Sequence, residues 1–282
     1  MTVREALQAG QERLARAGVE SPRLDASLLV AHVLQRDRTF LLGHPEESLA
    51  PDQALELEEL LRRREAREPL PYLLGSWEFL GLRFRVGPGV LIPRPETEVL
   101  VETVAARLSG RVRVLDVGAG SGCIGIGLAT LLPEAEVVLL EAAAQASELA
   151  WENAAIHDVT DRVAVVTGAF PEAAALLGQF DAVVSNPPYI PSEEVDRLAP
   201  ELVRYEPRLA LDGGADGLDV LRALATVSPS LLHPGGLLAL EVMAGQAEQV
   251  ADLLRAANAW TEPEQIHDLA GIPRVVLAKA KG

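Results

Sequence analysis

The sequence contains a single cysteine, Cys123, among 282 residues. One thiol excludes an internal disulfide and any metal site built from cysteine alone, which suits a reducing cytosol. Long apolar runs are also missing. No uninterrupted stretch reaches the length needed to span a bilayer, and Met1-Thr2-Val3-Arg4-Glu5 lacks the apolar core of an export signal. The expectation is a soluble cytoplasmic protein with no membrane partner. Positive charge is scarce: Lys and Arg number 25 against 41 Asp and Glu, a net charge of −16, and no lysine-rich stretch occurs. Sequence-independent nucleic-acid affinity comes mainly from Lys and Arg neutralising phosphates. The balance therefore argues against direct nucleic-acid binding, although acidic surfaces also serve solubility alone. Neither an internal repeat nor a low-complexity segment is present.

What the chain does have is enough apolar material, 49% of its residues, for a sizeable core in one large domain or two. Its organising stretch is Asn186-Pro187-Pro188-Tyr189, which ends the apolar run Phe180-Asp181-Ala182-Val183-Val184-Ser185. A β-branched run stopped by two prolines reads as a buried parallel strand that ends abruptly, because proline cannot donate to a sheet ladder. Asn186 and Tyr189 then sit at the carboxyl end of a strand, the edge where open α/β sheets bind ligands. The four residues suit methylation of a planar NH2 group, whose lone pair is delocalised and poorly nucleophilic. The Asn186 oxygen and a backbone carbonyl can each accept one N–H, while Tyr189 packs on the planar group. Asn-Pro is also a common turn, so the motif needs a second signal beside it.

That signal is a glycine loop. Strand Val112–Val117 runs into Gly118-Ala119-Gly120-Ser121-Gly122, and a helical pattern follows from Ile124. Bare backbone after a strand and before a helix admits a nucleotide-type ligand. The spacing is G-x-G-x-G, with Cys123 where a dinucleotide fingerprint would place glycine, which counts against an NAD oxidoreductase. The next strand, 136–140, ends at Glu141, placed for an acidic side chain to accept both ribose hydroxyls. Further strands are read at 162–166, 180–185 and 236–241, and Arg274–Ala278 closes the sheet. Alternating strands and helices imply a parallel, doubly wound α/β sheet.

Residues 1–75 read as a separate helical bundle: a stripe at Val3, Leu7, Gly10 and Leu14, a helix opening at Ser21-Pro22, and a third from Pro51 into Arg62-Arg63-Arg64. The arginine run reads as a solvated face at a helix C-terminus. Residues 76–95 read as a β-hairpin linker, and 96–282 as the catalytic domain. Arg94, Glu96 and Thr97, at a proline-bracketed helix start, are candidates for the entrance of a pocket.

Several segments together resemble the bacterial release-factor glutamine methyltransferases, the HemK family, over nearly the whole chain. They are Glu65–Gly75, Leu91–Glu98 (Leu-Ile-Pro-Arg-Pro-Glu-Thr-Glu), the glycine loop, Asn186–Ile190 and Tyr205–Leu211. The resemblance implies a Rossmann-like methyltransferase sheet of seven strands with a reversed last hairpin, and an N-terminal helical domain that helps hold a release factor. It implies S-adenosyl-L-methionine as methyl donor and no metal. By the family pattern Gly118, Ala119, Gly120, Ser121 and Gly122 cradle the methionine part, Glu141 takes the ribose, and Phe170 lies against the adenine. Asn186, Pro187, Pro188 and Tyr189 hold the acceptor amide, Asn186, Pro187 and Tyr189 carry the catalysis, and Asn186 borders the cofactor too. The acceptor is then N5 of the glutamine in the Gly-Gly-Gln motif of class 1 peptide chain release factors, in support of translation termination. The chain departs from the pattern at Glu141, where aspartate is usual, at Ala169, where an acidic residue usually precedes the aromatic, and at Met243, where glycine is usual. Two other readings compete. A nucleic-acid amino methyltransferase faces the same chemistry but needs a basic path for a flipped base. A non-catalytic nucleotide-binding adaptor would have no use for an intact Asn-Pro-Pro-Tyr.

Overall fold

The computed structural model describes residues 1–281, which fall into two compact units. The first comprises Met1–Ser76 together with Ala199–Tyr205; the second comprises Trp77–Leu198 and the chain from Glu206 onward.

The first unit is helical: α1 (Val3–Arg16), α2 (Pro22–Leu34), α3 (Arg38–Gly43), α4 (Pro51–Glu65) and α5 (Leu70–Leu74), with the short helix Pro200–Tyr205. Thr2 and Glu5 cap α1 reciprocally, each side chain taking the other's backbone N–H. Its stripe of Val3, Ala6, Gly10 and Leu14 is buried. A Cβ on Gly10 would stand 3.1 Å from that of Ala26 in α2, so the bare residue lets the two helices approach. The arginine run differs from its sequence reading at one position. Arg62 is solvated and pairs with Glu59 along its own helix, but Arg64 is buried, because Asp25 of α2 takes its Nε at 2.8 Å and Glu201 takes its Nη1 at 2.9 Å. Arg67 grips the same Glu201 through two nitrogens. Removing one partner of a buried ion pair strands the other charge. Arg64→Leu should therefore lower the stability of the protein by roughly 3 kcal/mol, the low end of the range for buried pairs because Glu201 keeps Arg67. Denaturant midpoints compared between wild type and variant measure it, and an unshifted midpoint would contradict the burial argument.

Next comes the hairpin β1 (Ser76–Phe79) and β2 (Leu82–Arg85), which belongs to the second unit from Trp77 onward. Phe79 and Phe84 are buried in this unit's core, and the amide of Asn153 pairs with both backbone groups of Arg85, so the hairpin is packed rather than loose. Seven strands follow: β3 (Arg113–Val117), β4 (Glu136–Glu141), β5 (Val163–Thr167), β6 (Phe180–Ser185), β7 (Leu232–Glu241), β8 (Glu264–His267) and β9 (Pro273–Lys279). They form one sheet in the order β5-β4-β3-β6-β7-β9-β8. The strands from β5 to β7 are parallel, while β9 runs antiparallel to both β7 and β8. Alternation sorts side chains between two apolar layers. Val114, Ala182 and Val184 enter one, against α6 (Pro95–Ala105), α7 (Cys123–Leu131) and α8 (Ala144–Ile156). Leu115, Val183 and Leu238 enter the other, against helices Asp219–Leu231 and Ala247–Ala257. Burial on both faces is why these strands read as near-continuous apolar runs. The order reverses beside β3, which makes the carboxyl ends of β3, β4 and β6 the ligand edge.

Candidate active site

Positive φ at Gly118, Gly120 and Gly122 turns the chain sharply from β3 into α7. The loop is tied down from the neighbouring strand: Leu140 carbonyl accepts from the backbones of Gly118 and Ala119 at 2.8 and 3.1 Å. Nothing lies within 4 Å of a Cβ built on Gly120, which faces open space. Gly122 has another task. A Cβ there would stand 2.9 Å from Ile126 and 3.1 Å from Leu139, so this glycine serves close packing of helix on sheet.

Glu141, at the end of β4, holds the loop's shape. Its Oε2 accepts from Gly120 N–H at 2.9 Å and its Oε1 from Ala143 N–H at 2.8 Å. Each oxygen keeps a lone pair for a second donor. The carboxylate anticipated as a ribose acceptor organises the loop through these two bonds. Asp116, fully buried in β3, accepts from Gly125 N–H at 2.9 Å through Oδ2 and leaves Oδ1 without a partner among the described residues. Burial pushes its carboxyl up to about 7, with the Glu141 charge adding to the rise and the Gly125 bond opposing it.

One cavity of about 300 Å³ is lined by Gly118, Ala119, Gly120, Ser121, Glu141, Phe170, Asn186, Pro187 and Pro188, residues drawn from the ends of four strands and the loops beyond. Ala169, Arg94 and Thr97 line it as well. Glu96 lies instead 3.8 Å from Arg274. Arg94 is fixed at the start of α6 by Glu206, whose buried carboxylate also accepts from Ile92 N–H.

The Asn-Pro-Pro-Tyr loop is held on several sides. Ser185 hydroxyl donates to Val117 carbonyl at 2.7 Å, pinning β6 to β3 where the loop begins. Ile190 exchanges backbone hydrogen bonds with Leu211 and Gly213. Gln246, buried, donates from Nε2 to the carbonyls of Tyr189 and Gly217 at 3.3 and 3.2 Å. Asn186 Nδ2 donates to Thr97 Oγ1 at 3.1 Å, which leaves Oδ1 as the acceptor it can offer the cavity. Tyr189 is outside the cavity lining; its hydroxyl reaches Glu241 at the end of β7, 3.4 Å away. The sequence marks Thr97 only for the entrance and Glu241 only as a strand end, and gives Gln246 no role. None carries a sequence signal for these contacts, because each joins segments far apart in the chain.

A parallel sheet closed by an antiparallel strand, a glycine loop facing an acidic strand end, and Asn-Pro-Pro at the next strand's tip define a Rossmann-like methyltransferase. The comparisons agree with that class. The family model for the methyltransferase small domain matches residues 95–215, and that for the PrmC N-terminal domain matches residues 5–75. A release factor glutamine methyltransferase of Moorella thermoacetica is 45% identical over 99% of this chain and 98% of its own length. Another, of Geobacter sulfurreducens, is 43% identical over 98% and 95%. The crystal structure of a methyltransferase from Pyrococcus furiosus, 15% identical, shares the fold with a TM-score of 0.53 over 83% of this chain and all of its own. The chain belongs to the release factor glutamine methyltransferase family. Among the described residues no helix is long and apolar enough to cross a membrane, and no group of side chains is arranged to hold a metal.

Proposed function

We propose that this enzyme transfers a methyl group from S-adenosyl-L-methionine to the side-chain amide nitrogen, N5, of the glutamine in the Gly-Gly-Gln motif of class 1 peptide chain release factors. The observation that carries the reading is the meeting in one cavity of the bare Gly120 backbone, the Glu141 carboxylate and the Asn186 amide. Their chemistry fits the donor. Gly118, Ala119, Gly120 and Ser121 give the close backbone approach its methionine part needs, Glu141 keeps lone pairs for ribose hydroxyls, and Phe170 offers an apolar wall to the adenine. When bound, S-adenosyl-L-methionine supplies an electrophilic methyl group on a positively charged sulfur.

The protein supplies the rest. Asn186 Oδ1 and the Pro187 carbonyl accept the two N–H bonds of the substrate amide, fix its plane, and draw its lone pair out of conjugation. Pro188 and Tyr189 keep that loop rigid, and no side-chain base touches the acceptor. Residues 1–75, of which 5–75 match the PrmC N-terminal domain, dock the release factor. A net charge of −16 suits a protein substrate better than a polyanion. The test is incubation with labelled S-adenosyl-L-methionine and, in parallel, a class 1 release factor, ribosomal RNA and DNA. The label should appear on the release factor, and peptide mass spectrometry should place it on the glutamine of Gly-Gly-Gln. Label on RNA or DNA with the release factor untouched would overturn the reading.

A further inference from the structure

Residues 89–94 all line the cavity, so the connection from β2 to α6 forms one of its walls. The chain entering α8 from Glu141 gives the cavity only the small side chains of Ala142, Ala143 and Ala146, which leaves a slot between helix and wall. The wall is fastened at both ends. At its far end buried Glu206 accepts from Ile92 N–H at 3.3 Å and from Arg94 Nη2 at 2.6 Å. At its near end Gln145 Nε2 donates to the Pro88 carbonyl at 2.9 Å, four residues beyond Glu141. Gln145 is exposed and does not line the cavity, so this bond crosses the slot on its solvent side. Gly89 makes room for it. Its φ is +86°, and the three atoms a Cβ there would meet first all belong to the Gln145 side chain, the nearest being Oε1 at 2.8 Å.

We propose that Gln145 is a positioning residue for the methyl donor: its bond to Pro88 latches residues 87–94 across the slot beside Glu141 and slows the departure of S-adenosyl-L-methionine. This rests on the reading of the cavity as the donor's site. The two fastenings differ in strength. Glu206 and Arg94 form a charge-assisted bond around a buried carboxylate, whereas the Gln145 bond is neutral and open to water, which can replace it at small cost. The wall therefore opens from the Gln145 end and stays hinged at Glu206. Opening at Pro88 widens the slot where the Glu141 carboxylate would hold the ribose, so the donor enters and leaves on that side. The N–H of Gln145 does the holding, and its carbonyl oxygen has no part in the bond.

The test is the dissociation rate of labelled S-adenosyl-L-methionine, chased with unlabelled donor and followed by rapid filtration, on the full chain and four variants. Gln145→Ala should release the donor about two- to tenfold faster, the worth of one neutral hydrogen bond, with an unchanged melting temperature because the residue is exposed. Gln145→Glu keeps the length but has no N–H to give the Pro88 carbonyl, and should match alanine. Gly89→Ala pushes the Gln145 side chain aside and should also speed release. Combining it with Gln145→Ala closes a double-mutant cycle. Strain from the positive φ is common to both backgrounds, so Gly89→Ala should accelerate release less on Gln145→Ala than on wild type, and the gap measures the latch. A wild-type rate in Gln145→Ala, a wild-type rate in Gln145→Glu, or effects of Gly89→Ala and Gln145→Ala that simply multiply would overturn the latch. Failure of the wild-type protein to bind S-adenosyl-L-methionine at all would instead overturn the reading beneath it.

Discussion

Asn186→Ala should lower turnover by ~10²–10³ while leaving S-adenosyl-L-methionine affinity near that of wild type, the magnitude expected when one preorganised polar group is removed from a site of developing charge. The split between the two readouts follows from placement. Glycine loop and Glu141 close one part of the cavity from β3 and β4, whereas Asn186 enters it from β6. Truncation at Asn186 removes an acceptor and leaves the loop's bonds to Leu140 and Glu141 in place. Asn186→Asp is the sharper probe. It keeps shape and acceptor oxygens but turns an oxygen toward Thr97 where a donor stood. A charge added to a site that excludes water is costly, and turnover should fall as far as with alanine. Single-turnover methylation of a release factor, alongside calorimetry of cofactor binding, reads both numbers. Equal losses in the two would place Asn186 in the cofactor site and leave the acceptor without its anchor.

Gly217→Ala should reduce turnover by at least ~10², although residue 217 touches neither end of the reaction. Its φ is +75°, a conformation alanine adopts only with strain, and a Cβ there would stand 2.3 Å from the Tyr189 carbonyl oxygen and 3.2 Å from Pro191. The obstacle is backbone, so it cannot swing aside as a side-chain tip would. Relief requires the whole Asn-Pro-Pro-Tyr loop to shift, and misplacing a positioning group by about 1 Å is enough for a hundredfold loss. Gln246 donates to both carbonyls of this contact, so the displaced loop also forfeits its buried tie. Melting curves establish that the variant is folded before kcat is compared. A folded Gly217→Ala protein with wild-type turnover would mean that the loop's position does not govern the rate.

How much of this was legible beforehand depended on where each signal lies along the chain. Strand β6 was readable to its last residue because two prolines end it, and β3 because glycines do. The reversed hairpin came only from family resemblance, since Glu264–His267 is short and half-exposed, with no apolar run to betray it. Arg64 looked like a surface charge because its partners, Asp25 and Glu201, lie 39 and 137 residues away. In the site, residues that present bare backbone or close a strand were legible. Thr97 was legible only as a residue of the pocket entrance, and Glu241 and Gln246 not as residues of the site at all, for a buried hydroxyl, carboxyl or amide carries no periodicity and acquires meaning only from what faces it. Even Glu141, placed correctly at a strand end, gave no hint that its oxygens also hold the loop beside it.

Ala199–Tyr205 belongs with the helices of residues 1–76 although the chain on both sides of it belongs to the other unit. The peptide therefore leaves one unit for the other three times. This interleaving sets the terms for any chimaera made from two members of the family. A graft cut once near residue 76 would inherit Arg64 and Arg67 from one parent and Glu201 from the other, and an exchangeable cassette has to carry the seven-residue insert of 199–205 along with the N-terminal helices. Arg64, Arg67 and Glu201 have to be exchanged together, so the helical unit is less an appended module than a spliced one.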